Sequence, residues 1–219
     1  MTPASRRRGV TAALFAALLP LVGLCAGCLV LSLDRFYDDL SISVDERLIG
    51  TWRNDDDDVT VTVERSDWRA YRVKYEQTIE AGALTAYLFR AGDRMFVDLT
   101  PVRGQDFGSF AVPVHAVLMV TLDSDELRVS PLSYDWFDFG LRQQQLPEGL
   151  APVRAERGQI LLSAGPAALE AWLAGLPPDA PAFGPVTIFR RRPSHEASRT
   201  QPEPLSTALN SLSPASPCP

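Results

Sequence analysis

Few side chains in this 219-residue chain could do chemistry: Cys25, Cys28 and Cys218, His115 and His195, and the four carboxylates of residues 55–58. Clustered carboxylates can hold Ca²⁺, which takes about six to eight oxygen ligands. This run lacks the spaced acids and central glycine of a calcium loop, and a solvated hairpin turn accounts for it. A histidine-based metal site needs several ligands. His195 falls in a Ser/Pro-rich stretch, so His115 has neither a second histidine nor a thiolate beside it in the folded domain. It reads as a satisfied core or rim histidine, and no metal is expected. A Ser–His–Asp set could be assembled on paper around His115, but no Gly-x-Ser-x-Gly elbow supports it. Glycine-rich phosphate loops are also missing. No catalytic residue and no cofactor are therefore assigned, and the chain is expected not to be an enzyme.

The cysteines are explained by their surroundings. Residues 1–8 are short and basic, residues 10–24 are apolar with Pro20 among them, and Cys25-Ala26-Gly27-Cys28 follows. Basic, apolar and small-residue regions in that order make a secretory signal. The apolar run is short of the roughly 20 residues that a spanning helix needs.

Ala26-Gly27-Cys28 resembles the lipobox of bacterial lipoproteins. The resemblance implies cleavage by signal peptidase II between Gly27 and Cys28, and a diacylglycerol and further acyl chains, palmitate among them, on Cys28. Cys25 stands where that pattern usually has leucine. The alternatives are an uncleaved membrane anchor or an ordinary signal with an incidental cysteine. Leu29, rather than an aspartate, follows Cys28, which in this family points to the outer membrane where the cell has one. Ser5-Arg6-Arg7 hints at twin-arginine export, although Gly9 and Val10 do not continue that motif. With Cys25 removed and Cys28 alkylated, Cys218 is left alone and no intrachain disulfide is expected.

Charge excludes some partners. The formal net charge is −6, and Arg6, Arg7 and Arg8 lie in the signal, so the exported part is more acidic still. Nucleic-acid binding needs clustered Lys and Arg and is not expected. The same holds for a polybasic membrane-binding face.

Behind the signal (1–27) and a lipidated tether (28–47), whose residues 36–40 are candidates to pack on the domain, a β-rich domain is expected over 48–192. A Ser/Pro-rich tail at 193–219 carries too little apolar surface to offset the entropy of ordering. Residues 59–64 and 71–75 alternate as half-buried strands do. Segments 48–53, 85–90, 94–99, 110–122, 127–130, 159–163 and 186–190 also read as strands, with Gly92-Asp93 as a hairpin signal and Pro113 breaking or edging the long one. Residues 133–146 and 166–176 read as helices, the second stopped by Pro177-Pro178. Closely spaced strands with tight turns imply a mainly β antiparallel meander with two helices in the C-terminal half. Closure into a barrel would remove its edges.

Gly50-Thr51-Trp52 resembles the Gly-x-Trp signature of lipocalin-like β-barrels. The resemblance implies a barrel whose Trp52 closes one end, with Arg190 or Arg191 from the last strand packed on it, and a ligand-binding role. The family's Thr-Asp-Tyr motif is absent. Trp52, Trp68, Trp136 and Trp172 are expected mainly in the core or lining a pocket. The aromatic run at Tyr134, Trp136 and Phe137 is denser than a core helix needs and is a candidate ligand or partner surface.

These readings combine into a lipid-anchored, non-enzymatic module outside the cytoplasmic membrane, taking an apolar small ligand, or alternatively an envelope assembly protein acting through protein partners. Replacing Cys28 with serine is expected to abolish metabolic labelling by a clickable fatty acid and to leave a heavier, uncut precursor. Cys25→Ser and Cys218→Ser chains are expected to label normally. A Cys28→Ser protein that still carries lipid would exclude the lipoprotein reading.

Overall fold

The computed structural model describes residues 29–78, 80–102, 112–155 and 158–193. The expected signal (1–27), Cys28 and the residues from 194 onward, in the expected tail, lie outside the described residues. Strands β1 (Val30–Ser32), β2 (Ile42–Ser43), β3 (Gly50–Asn54), β4 (Val59–Arg65), β5 (Tyr71–Glu76), β6 (Ala81–Ala91), β7 (Arg94–Pro101), β8 (Ala116–Leu122) and β9 (Glu126–Pro131) precede helix α1 (Tyr134–Gln143). Then come β10 (Pro152–Arg154), β11 (Ile160–Leu162), helix α2 (Pro166–Gly175) and β12 (Thr187–Arg192).

Each strand from β3 to β9 pairs antiparallel with the next, β12 pairs with both β9 and β3, and the eight strands close into an up-and-down barrel. The fold class is thus mainly β with two helices in the C-terminal half, as the strand spacing implies. Strand β6 is long because it serves two neighbours on one edge: its first half pairs with β5, and Phe89 and Leu88 then pair with Ile42 and Ser43 of β2. Gly92 and Asp93 make the tight turn between β6 and β7, with Ala91 opposite Arg94. Gly92 has φ +64°, in the left-handed region where a side chain is strained.

A second layer packs on the outside of β6, β7 and β8. It consists of a three-stranded sheet in the order β1-β11-β10, with β1 parallel to β11, together with α1 and α2. The barrel wall under this layer is apolar on both faces. Leu88 and Val120 point inward, while Phe89, Phe96 and Val117 point outward into a core shared with Phe36, Phe137, Ile160, Leu162, Leu169 and Leu173. A strand buried on both sides reads as a continuous apolar run rather than an alternating one, and residues 116–120 do. Phe96 stacks on Phe89 at 5.6 Å and meets Phe183 at 5.8 Å between ring centroids. Arg94 donates to the carbonyls of Leu173 (2.9 Å) and Leu176 (2.6 Å), placing a cation at the C-terminal end of α2, where the helix dipole favours it. Ser133 caps α1 by accepting from the Trp136 N–H at 3.3 Å, and Pro166 opens α2 at its first position.

Three features differ from the sequence expectations. Residues 29–47 are joined to the fold beyond the expected packing of 36–40: Phe36 and Tyr37 are buried, Ile42 is buried as well, and β1 is a sheet member. Strands as short as β1, β2 and β10 carry too few residues to show a period. Helix α1 ends at Gln143 rather than at residue 146, because Gln144 turns left-handed and its N–H bonds back to Gly140 and Leu141. Of the expected strand at 110–122, residues 110 and 111 lie outside the described residues, and the strand itself begins only at Ala116.

Phe96 is fully buried between the barrel wall and its outer layer. Phe96→Ala is expected to destabilise the fold by about 3–5 kcal/mol through lost transfer energy and a residual cavity, measured as a lower urea midpoint at unchanged slope.

Candidate functional site

The barrel has one sealed end. A short 3₁₀ turn, Glu46–Leu48, leads into β3 and places Leu48 across it. The Trp52 ring is completely buried and donates from Nε1 to the Leu48 carbonyl at 2.8 Å. The guanidinium of Arg191 lies 4.1 Å from the Trp52 ring centroid. Its nitrogens donate to the carbonyls of Ile49 (3.0 Å) and Ser124 (3.2 Å), and to that of Arg47. Gly50 has φ +140°, and a Cβ there would stand 2.7 Å from Arg191 Nη1. The glycine of Gly-x-Trp is thus needed both for the backbone angle and for the arginine. Of the two candidate arginines, Arg191 fills the place over Trp52. Arg190 falls on the opposite face of β12, exposed, because side chains alternate along a strand.

The other half of the interior is different. Val61, Val73, Leu84, Leu99, Leu118 and Phe189 point inward by strand alternation, yet each is only half-buried, whereas Val63, Tyr71, Leu88, Leu122 and Leu127 near the sealed end are buried. The inward side chains of this half are thus only partly shielded from solvent. An eight-stranded barrel is just wide enough either to be packed by its own side chains or to hold one small ligand. Tyr75 lies across Gly82 near this end, since a Cβ on Gly82 would meet the Tyr75 ring at 2.5 to 2.7 Å. The lining is aliphatic and aromatic, suited to an apolar guest.

Residues 55–58 form the β3–β4 turn at the rim of this end. Arg53 bonds Asp55 at 2.8 Å and Asp58 at 2.6 Å, Arg192 bonds Asp55 at 2.7 Å, and Asp57 N–H is held by Asn54 Oδ1. Arginine contacts, first that with Arg53, hold the Asp55 carboxyl below its usual range. The run is an arginine-braced hairpin turn. Among the described residues no cluster of potential metal ligands occurs.

His115 lies outside the barrel, where the chain enters β8. Its backbone pairs with Ser32, and its Nδ1 sits 2.7 Å from Asp98 Oδ1. The other Asp98 oxygen accepts the Phe36 N–H at 2.8 Å. Asp98 is nearly inaccessible, and burial pushes its carboxyl above the usual range while His115 opposes the shift. Burial and the nearby Asp98 charge also push the Tyr37 phenol up. The Ser32 hydroxyl is committed to the Leu162 carbonyl (3.3 Å) and to Asp34 N–H (3.2 Å), so it is not aimed at the imidazole. Sequence inspection paired His115 with no particular acid. Asp98 is its partner, and the pair fastens the N-terminal segment to the barrel wall.

The aromatic run of α1 is mostly interior. Phe137 is fully buried against Trp136 and Trp172, Tyr134 and Trp136 are half-buried, and the Tyr134 hydroxyl donates to the Gly158 carbonyl at 2.8 Å. Tyr134, Trp136 and Phe137 pack on the core that covers the barrel, and Phe139 alone of the aromatic run is largely exposed. Trp68, in the β4–β5 turn, is exposed rather than in the core. Compared with known proteins, the chain matches no family model, no curated protein and no solved structure.

Replacing Asp98 with leucine is expected to cost roughly 1–3 kcal/mol for each buried donor left unpaired. Asp98→Asn keeps an acceptor and removes the charge. Because the folded carboxyl titrates above its unfolded value, near 3.9, its contribution is fully present below that pH and is lost as pH rises through the folded value. The stability of the native protein minus that of Asp98→Asn is therefore expected to fall with increasing pH from about 4 upward, as read from urea midpoints.

Proposed function

We propose that this chain is a lipid-anchored protein of the bacterial envelope whose lipocalin-like barrel binds an apolar small molecule without catalysing a reaction. The observation that supports the reading is the contrast between the two ends of the barrel: one sealed by Leu48, Trp52 and Arg191, the other lined by inward apolar side chains that the described residues leave half-buried. Burying apolar surface of a guest there would yield about 25 cal/mol per Å² before the costs of binding. The anchor reading rests on the lipobox-like Ala26-Gly27-Cys28. Anchored this way, the acidic domain would stay in water and meet lipophilic molecules close to a bilayer, the outer membrane where one exists. Nucleic acid is not a partner in this reading. The alternative, an assembly protein acting through envelope proteins, retains Phe139 as its exposed ring on α1.

Full-length protein purified from membranes is expected to bind a neutral apolar fluorophore such as N-phenyl-1-naphthylamine saturably. Leu118→Trp, which adds bulk among the half-buried inward side chains, is expected to weaken that binding by about tenfold or more, equivalent to about 1.4 kcal/mol per factor of ten. Phe139→Ala is expected to leave it unchanged. Native protein with no saturable binding would sink the ligand-binding reading.

A further inference from the structure

The small sheet β1-β11-β10 has one face turned to the core, carrying Val30, Ser32, Ile160 and Leu162. Its other face carries a cross-strand row: Leu31 is opposite Leu161, and Leu161 is opposite Val153. The period-two alternation puts Leu29 and Leu33 on the same face along β1. Val153 is 54% exposed and Leu33 37%, while Leu29, Leu31 and Leu161 are half-buried.

This departs from the ordinary pattern, in which the solvent face of a sheet is polar. No charged residue occupies any of these positions, and Gln159 and Ser163, which flank Leu161 on β11, are uncharged too. The nearest arginine on β10, Arg154, belongs to the other face, where it bonds Tyr134 Oη (3.0 Å) and Asp138. An uncharged aliphatic face on a protein with an excess of acids is a local exception.

Its position supplies the occupant. Cys28 immediately precedes Leu29 in the chain. One residue of extended chain spans about 3.3–3.6 Å, so acyl chains on Cys28 leave no slack between the bilayer and this edge of the sheet. We infer that the Leu31–Leu161–Val153 face is the surface by which the domain rests on the membrane, its aliphatic row settling at the boundary of headgroups and hydrocarbon. The inference rests on the anchor reading of Cys28 and adds a fixed orientation to it. Interfacial apolar contact strengthens with buried area and adds to lipid anchoring.

The test uses the full-length, lipidated protein carrying Cys218→Ser, so that no free thiol remains once Cys28 is acylated and Cys25 is cut away. A single new cysteine is placed at Val153 or Leu33, or for comparison at Arg72, which is exposed on the outer wall of β5. Each is labelled with the environment-sensitive fluorophore NBD and reconstituted into phosphatidylcholine/phosphatidylglycerol vesicles containing nitroxide-labelled lipid. Fatty-acid incorporation is read on the same samples. Emission from positions 153 and 33 is expected to shift to the blue and to be quenched several-fold more than emission from position 72. If Cys28 carries lipid and positions 153 and 33 are quenched no more than 72, the membrane-facing surface is overturned while the anchor stands. If the protein carries no lipid, the anchor and the surface both fall.

Discussion

Barrel closure is the constraint on which the rest of this structure depends. An open sheet of this length would expose unpaired N–H and C=O groups along both edges. The chain removes the problem by returning β12, after the long excursion through α1, β10, β11 and α2, into the gap between β9 and β3. The return is fastened at one point above others. Arg191 arrives on β12, lies over the Trp52 ring of β3, and satisfies carbonyls of the segment that seals the barrel end. A guanidinium on an indole face is a favourable pairing that strengthens on desolvation. Its planar fork also reaches several carbonyls together, which a lysine could not do. First and last barrel strands are thereby locked at one end.

The excursion between β9 and β12 has its own logic. Its elements bury the outer face of β6, β7 and β8, making a second core that a simple barrel lacks. That core recruits the N-terminal segment as well: Phe36 and Tyr37 are buried in it, and Asp98 on the barrel wall takes the Phe36 N–H and the His115 ring. A buried carboxylate is costly unless its oxygens are engaged. Here both oxygens are, which makes the pair a fastening between layers rather than an idle charge. In consequence the chain is part of the folded body from one residue after Cys28.

The contrast between a buried end of the barrel and a half-buried one gives the molecule a polarity. Large side chains crowd the Trp52 end, and valine and leucine of the opposite half are only half-buried. The proposed ligand role draws on that asymmetry. The proposed membrane face draws on another, the uncharged row that runs beside Leu29. The two lie on different sheets, so a guest and a bilayer would not compete for the same side chains.

The sequence by itself determined the local patterns. Strict alternation in 59–64 and 71–75, the Gly92-Asp93 turn, the proline opening α2 and the meander they imply were all readable, because strand alternation and turn chemistry are properties of neighbouring residues. So was Gly50-Thr51-Trp52 as the start of a barrel. Only the tertiary structure decided what depends on residues far apart in the chain. It chose Arg191 over Arg190, because strand register sets which of two adjacent arginines faces inward. It gave His115 its partner Asp98, turned the aromatic run of α1 into core, and joined residues 29–47 to the fold. Strands such as β1 and β10 are too short to carry a period; their partners, not their sequences, hold them extended. The aliphatic row across Leu31, Leu161 and Val153 likewise exists only because three distant segments pair in register.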